Sequence, residues 1–295
     1  MELQRLVRGR IDWPQIERVA VDLAERYGRE TVHVRFLDAD NWLSTPMVLD
    51  DDRFVKVITK QNTLVHALFT TGRNLGAFSS GTEGFFERFE TPYEMARHEL
   101  EATRKLRELG INAPDPIEAL EIDGLGVLVL EYLPEFRSLD ELDTDREREL
   151  APALFETLRT VHDAGLAHGD LRAENVLILD GEIYVIDATN VADDARDDAR
   201  AYDLASAIAS LEPLIGPRET IAAALTAYTT TELLDARRFL DFVALRPDHD
   251  FDATGLKGEL EKRATRSREA ERGNAVGGET ESGGPASIDE ERPRS

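Results

Sequence analysis

At 295 residues and 33.0 kDa the chain is long for one ordinary domain and short for three, which favours one two-lobed unit or two modest domains with a sizeable core. It has no cysteine, which excludes disulfides, zinc-thiolate and iron–sulfur sites and thiol nucleophiles, and fits a reducing cytoplasm. The 59 acidic residues face 35 basic ones, 30 Arg and 5 Lys, so the net charge is −24, which argues against nucleic-acid partners except in strong salt.

Self-repulsion on that scale is tolerable where the Debye length shrinks to about 3 Å, as it does at 1 M salt, and the acid-rich, lysine-poor composition suggests a salt-loving host. An acidic mesophilic protein is the alternative. Folding should therefore depend on salt. Circular dichroism should show loss of cooperative structure in dilute buffer and its return in molar KCl, and a thermal midpoint indifferent to salt would contradict this. No apolar run approaches the ~18 residues of a membrane span, and MELQRLVRGR has no hydrophobic stretch behind its charges, so neither anchor nor signal peptide is expected.

After Trp13-Pro14, Ile16, Val19, Leu23 and Tyr27 recur at helical spacing up to Gly28, which predicts an amphipathic helix within an N-terminal extension, residues 1–30. Strand-like runs follow at 31–37, 44–49 and 53–58. A helix is predicted in PYEMARHELEATRKLRELG, and VLVLEYL (127–133) reads as a buried strand. Beyond Pro134 the pattern turns helical, with Leu150, Leu154, Leu158 and Val161 on one stripe and helix again over 201–245. The fold class is therefore α+β with two lobes: a strand-rich N-lobe over 31–133 and a helical C-lobe over 134–257. From Gly258 onward there is no aromatic residue and only Leu260, Val276 and Ile288 as large aliphatics, which predicts a fraying helix over 258–271 and a charged, largely disordered tail to 295.

The most specific segment runs from His168-Gly169-Asp170 through Arg172 and Asn175 to Asp187. Asp180-Gly181 between two alternating apolar runs is a strong hairpin signal. In that hairpin Leu179 pairs with Glu182, so Asn175 stands opposite Ile186 and emerges at the same open end as Asp187. An amide oxygen and carboxylates gathered there suit Mg²⁺, which takes oxygen ligands and keeps waters or phosphate oxygens in its other positions. Asp170 is left to accept a proton. The alternative is a solvated loop whose Asp and Asn only cap turns.

These residues match the H-x-D-x-x-x-x-N catalytic loop and downstream metal Asp of protein-kinase-like enzymes. That resemblance demands a strand lysine and a helical glutamate upstream. Lys56 lies on the strand face shared with Phe54 and Ile58, and a buried ammonium needs an anionic partner. Glu99 falls inside the apolar stripe Met95, Ala102, Leu106 and Leu109. The separate alternatives are snorkelling for Lys56 and a surface position for Glu99.

From about residue 44 to 210 the chain resembles the RIO family of atypical kinases and ATPases. HELEATRKLRELGINAPDPI is similar to that family's helix and the Gly-x-x-x-Pro-x-Pro after it, LVLEYL to its hinge strand, and HGDLRAEN with YVIDATN to its catalytic and metal segments. The resemblance implies ATP and Mg²⁺ as cofactors, Lys56 and Glu99 on the phosphates, Glu131, Tyr132 and Leu133 at the adenine, Asp170 as catalytic Asp, and Asn175 with Asp187 on the metal. It also implies a protein or ribonucleoprotein partner.

Two departures stand out. The family's Gly-Lys phosphate loop is reduced to Leu43-Ser44-Thr45 before Pro46, leaving Ser44 and Thr45 as the nucleotide-binding candidates there. Arg172 replaces the family's Ser and can either meet the γ-phosphate or pair with Glu174. Asp187 is followed by Ala188-Thr189 and no Ala-Pro-Glu, so a platform for extended peptides is not expected, whereas Ser79-Ser80 offers an internal acceptor. Two further functions stay open: a small-molecule phosphotransferase of the aminoglycoside-phosphotransferase type, which shares the HGD-x-x-x-x-N loop and the Tyr-Asp-Leu-Ala of residues 202–205, and a nucleotide-binding pseudokinase or assembly factor.

Overall fold

The computed structural model describes residues 11–37, 44–63, 89–169, 171–187, 196–246 and 249–277. The first unit is a five-stranded antiparallel sheet of order β1-β2-β3-β5-β4, formed by β1 (Val34–Phe36), β2 (Thr45–Leu49), β3 (Arg53–Ile58), β4 (Pro116–Ile122) and β5 (Leu125–Glu131). Alternation along β3 and β5 supplies both sheet faces with apolar side chains. Helix α1 (Trp13–Arg26) closes one face, packing Ile16, Val19 and Leu23 on Met47, Val55, Val57, Val127 and Val129. Helix α2 (Pro92–Glu108) closes the other, with Met95, Ala96 and Leu100 on Ile58, Leu128 and Leu130.

A capping box starts α2: the Thr91 hydroxyl accepts the Glu94 N–H at 3.1 Å and the Glu94 carboxylate accepts the Thr91 N–H at 3.2 Å, with Pro92 in the first turn. That end of the helix lies hard against β5. A Cβ built on Gly126 would come within 2.0 Å of the Pro92 carbonyl oxygen, a backbone atom that cannot swing aside. Gly126→Ala should therefore push α2 off the sheet and destabilise the chain by about 1–3 kcal/mol, the usual cost of overpacking. Denaturant unfolding in high salt would check this, and an unchanged midpoint would refute the close approach.

Helix α2 also ties the two lobes together. Its C-terminal half, through Ala102 and Leu106, enters the main core of the second lobe. That lobe is built from α3 (Thr144–Asp163), α4 (Arg196–Ile215), α5 (Pro217–Ala224), α6 (Thr230–Arg237), α7 (Leu240–Val243) and α8 (Ala253–Gly277), with a small sheet of β6 (Arg137–Ser138), β7 (Val176–Leu179) and β8 (Glu182–Val185). The predicted stripe Leu150, Leu154, Leu158 and Val161 is buried on α3.

Three expectations change in detail. The 31–37 run yields only the three residues of β1, at the sheet edge. Strand β4 was not foreseen, because PIEALEI is mostly half-buried and lacks a fully apolar face. The helix expected over 258–271 begins at Ala253 and runs to Gly277, and Leu256, Leu260 and Ala264, four residues apart, bury against the C-lobe. The tail therefore does not begin at 258, since three anchors on one stripe suffice to dock a helix on an existing core. Residues 278–295 and Ser79-Ser80 lie outside the described residues.

Candidate active site

Antiparallel pairing sets Lys56 between Pro46 of β2 and Leu128 of β5, and its place in the alternation turns it to the α2 face. The same face receives Glu99. Lys56 Nζ donates to both Glu99 carboxylate oxygens at 2.9 Å and to Asp187 Oδ1 at 2.8 Å. The Lys56 side chain is 5% exposed, Glu99 10% and Asp187 27%, so the cluster opens to the outside only at Asp187.

Burial disfavours every charge in this cluster, and the neighbours decide the outcome. At Lys56 the loss of solvent is outweighed by Asp187 and Glu99, which hold the ammonium above its usual range. Burial dominates at Glu99, where Asp187 adds to it against Lys56, and the carboxyl is pushed up to about 8. The Asp187 carboxyl goes the other way, because Lys56 outweighs burial and holds it below the ordinary range. One ammonium thus lowers Asp187, while burial raises Glu99.

The 176–185 hairpin forms as the sequence predicts. Asp180 (φ 53°) and Gly181 (φ 84°) both lie in the left-handed region, as a primed two-residue turn requires, and Leu179 pairs with Glu182. The Ile186 N–H donates to the Asn175 carbonyl at 3.1 Å, so Asn175 does stand opposite Ile186. Asn175 ends a short 3₁₀ turn and is 4% exposed. Asp187 follows in the left-handed conformation at φ 59°, which Asp tolerates better than most residues.

Asp170 lies outside the described residues, but the backbone leading to it is held firmly. Asp203, fully buried in α4, accepts the backbone N–H of His168 on Oδ2 at 2.6 Å and that of Gly169 on Oδ1 at 3.0 Å. His168 Nε2 lies 2.8 Å from the Ile186 carbonyl, which can only accept, so that nitrogen carries the proton. Gly169 needs its lack of a side chain at φ 86°. On the far side, the Leu171 carbonyl accepts from Ser210 Oγ at 3.2 Å.

The other candidates lie around the lobe junction. The Tyr132 N–H donates to the Asp52 carbonyl at 3.2 Å, and the Glu131 N–H to the Asp115 carbonyl at 2.9 Å. The Tyr132 ring is covered by the Arg35 guanidinium at 5.4 Å, while Leu133 is buried. Glu131 and Tyr132 thus commit their backbone N–H groups, and through the Asp115 N–H and the Arg35 guanidinium their side-chain oxygens, to holding the strand end in place. Ser44, 7% exposed, has a buried Oγ with no hydrogen-bond partner among the described residues, and Thr45 opens β2 opposite Val57. Arg172 makes an ion pair with Glu174 at 3.6 Å, the second of its two options.

Asn175 and Asp187 offer oxygen donors of the kind Mg²⁺ takes. Among the described residues there is no group of three or more His, Cys, Asp or Glu placed to hold a metal. Asp203 is the functional residue that the sequence reading missed. In the sequence it stands only within a Tyr-Asp-Leu-Ala segment, and two of its partners are backbone amides that no side-chain pattern encodes.

Two lobes divided this way, with a strand lysine answered by a helical glutamate on one side of the junction and by Asp187 on the other, define a protein-kinase-like fold. Within that class, residues 83–203 match the family model of the RIO domain. The RIO-type serine/threonine-protein kinase Rio1 of Haloferax volcanii is 33% identical over 95 residues, 31% of this chain and 31% of its own length. The KEOPS complex subunit Bud32 of Pyrococcus abyssi is 27% identical over 115 residues, 38% of this chain and 51% of its own. Over that matched stretch the chain is similar to RIO-type atypical kinases. It spans about half or less of the length of these curated relatives. Among solved structures, an aminoglycoside-3'-phosphotransferase of type VIII aligns with 76% of this chain and 99% of its own at 17% identity and a TM-score of 0.46, too loose to bear on function.

Proposed function

We propose that the chain is a Mg²⁺-dependent, ATP-using RIO-type phosphotransferase or ATPase. The observation that carries this reading is the Lys56 ammonium within 2.9 Å of Glu99 and 2.8 Å of Asp187, a cation fixed at the lobe junction and supported by a buried glutamate. In this reading Glu99 orients Lys56 toward the phosphates, and Asn175 with Asp187 hold the metal, which when bound neutralises charge on the transferring phosphoryl group. Asp170 accepts the proton of the attacking hydroxyl or water. Ser44 Oγ, buried and without a hydrogen-bond partner among the described residues, is the best remaining phosphate donor where the Gly-Lys loop is missing.

The Pyrococcus relative is named as a subunit of a complex, which supports a docked protein partner as the setting for the reaction. The reading separates Asp187 from Asp170 experimentally. Asp187→Ala should abolish Mg²⁺-dependent ATP binding by calorimetry in molar KCl, whereas Asp170→Ala should retain binding within about threefold and lose turnover by at least about 100-fold, the usual weight of a positioned base. Equal loss of binding in both variants would overturn these roles.

A further inference from the structure

Asp203 does not hold the His168-Gly169 backbone alone. Behind it lies His162 on α3, 3% exposed, whose Nε2 sits 3.2 Å from Asp203 Oδ2 while its Nδ1 sits 2.9 Å from the hydroxyl of Tyr228. Both Asp203 oxygens already accept backbone N–H groups, so the carboxylate acts as an acceptor and the facing Nε2 must carry the proton. In the neutral ring Nδ1 is then the acceptor and Tyr228 the donor. Burial holds the Tyr228 phenol well above its usual range, so its O–H proton is always present. The ring itself is fixed by Phe155, edge-on at 6.4 Å, and by the Arg159 guanidinium 5.4 Å above it.

We infer that Tyr228 is a positioning residue for the loop that carries Asp170. By donating to His162 Nδ1 it fixes the Nε2–H tautomer, which donates to Asp203, which in turn holds the His168 and Gly169 amides. The outer end of this chain is reachable: His162 and Tyr228 line a cavity of about 210 Å³ on the C-lobe, together with Arg159, Arg200 and Glu232. The wiring stands on these distances. Only its consequence for turnover rests on the proposed function.

Tyr228→Phe keeps the ring and removes the hydroxyl. In the full chain in molar KCl, hydrogen exchange at the His168 and Gly169 amides should accelerate roughly tenfold, about the worth of one hydrogen bond, while exchange in β3 and β5 stays unchanged. Nitrogen-15 shifts of the His162 ring should show loss of the pure Nε2–H tautomer. In a His162→Gln background, Tyr228→Phe should add nothing, since its effect passes through the imidazole. An unchanged tautomer, loop exchange that does not exceed the change elsewhere in the C-lobe, or full additivity in the double variant would each overturn the inference. ATP turnover is read alongside, and kcat should fall with KM for ATP unchanged. Faster loop exchange with unaltered kcat would leave the wiring intact and count against the catalytic reading of the loop.

Discussion

Replacing Lys56 with Met should cost ATP turnover at least about 100-fold, because a preorganised cation aimed at developing phosphoryl charge is worth several kcal/mol and Met supplies only the length of the side chain. The variant also leaves Glu99 and Asp187 facing each other without the ammonium that both now contact. Removing one partner of a buried ion pair usually destabilises by about 3–5 kcal/mol, but here the loss should be eased by protonation of Glu99. The wild-type cluster already shows the sign. Glu99 rises from 4.5 to about 8, so the folded state holds an extra proton between those values. Its contribution to stability is complete below pH 4.5 and is lost as pH rises through 8. Asp187, held below its ordinary range, contributes in the opposite sense, with stability lost only as pH falls into the acid range. Lys56→Met should therefore be most deficient on the alkaline side. Steady-state turnover and denaturant melts at several pH values check both parts, and turnover within threefold of wild type would remove Lys56 from the site.

Asp203→Ala should produce the largest stability loss of any single change in the C-lobe site, about 3–5 kcal/mol, because two backbone N–H groups and the His162 Nε2–H lose their buried acceptor together. Asp203→Asn should lose less, since its amide oxygen can still accept one of those bonds. Turnover should fall in both, as the backbone before Asp170 loses its anchor. Denaturation in molar KCl gives the comparison. Equal stability of Asp203→Ala and wild type would mean that the loop is held by something else.

Much of this site could be read from the chain because its parts are set by local rules. Asp180-Gly181 can do little other than turn tightly, and once it does, the period of two carries Asn175 and Asp187 to one end. Lys56 was legible by its alternation with Phe54 and Ile58, and Glu99 as a carboxylate inside an apolar helical stripe, each implying the other. The Lys56–Asp187 contact was not legible, since it joins residues 131 apart across two lobes whose relative placement no periodicity encodes. Asp203 was hidden for a different reason: it sits in a largely buried helix and serves backbone amides. The last helix was underestimated because a count of large aliphatics ignores that Leu256, Leu260 and Ala264 share one stripe.

The account stands or falls on whether the junction that holds Lys56 uses ATP in a metal-dependent way. The direct measurement is release or transfer of the γ-phosphate of radiolabelled ATP by the purified full chain in molar KCl, with Mg²⁺ and with excess EDTA, in wild type and Lys56→Met. The expected result is slow turnover with Mg²⁺, none with EDTA and at least about 100-fold less in the variant. Turnover that survives both EDTA and the loss of Lys56, or a cooperatively folded wild-type chain that neither binds nor turns over ATP, would contradict it.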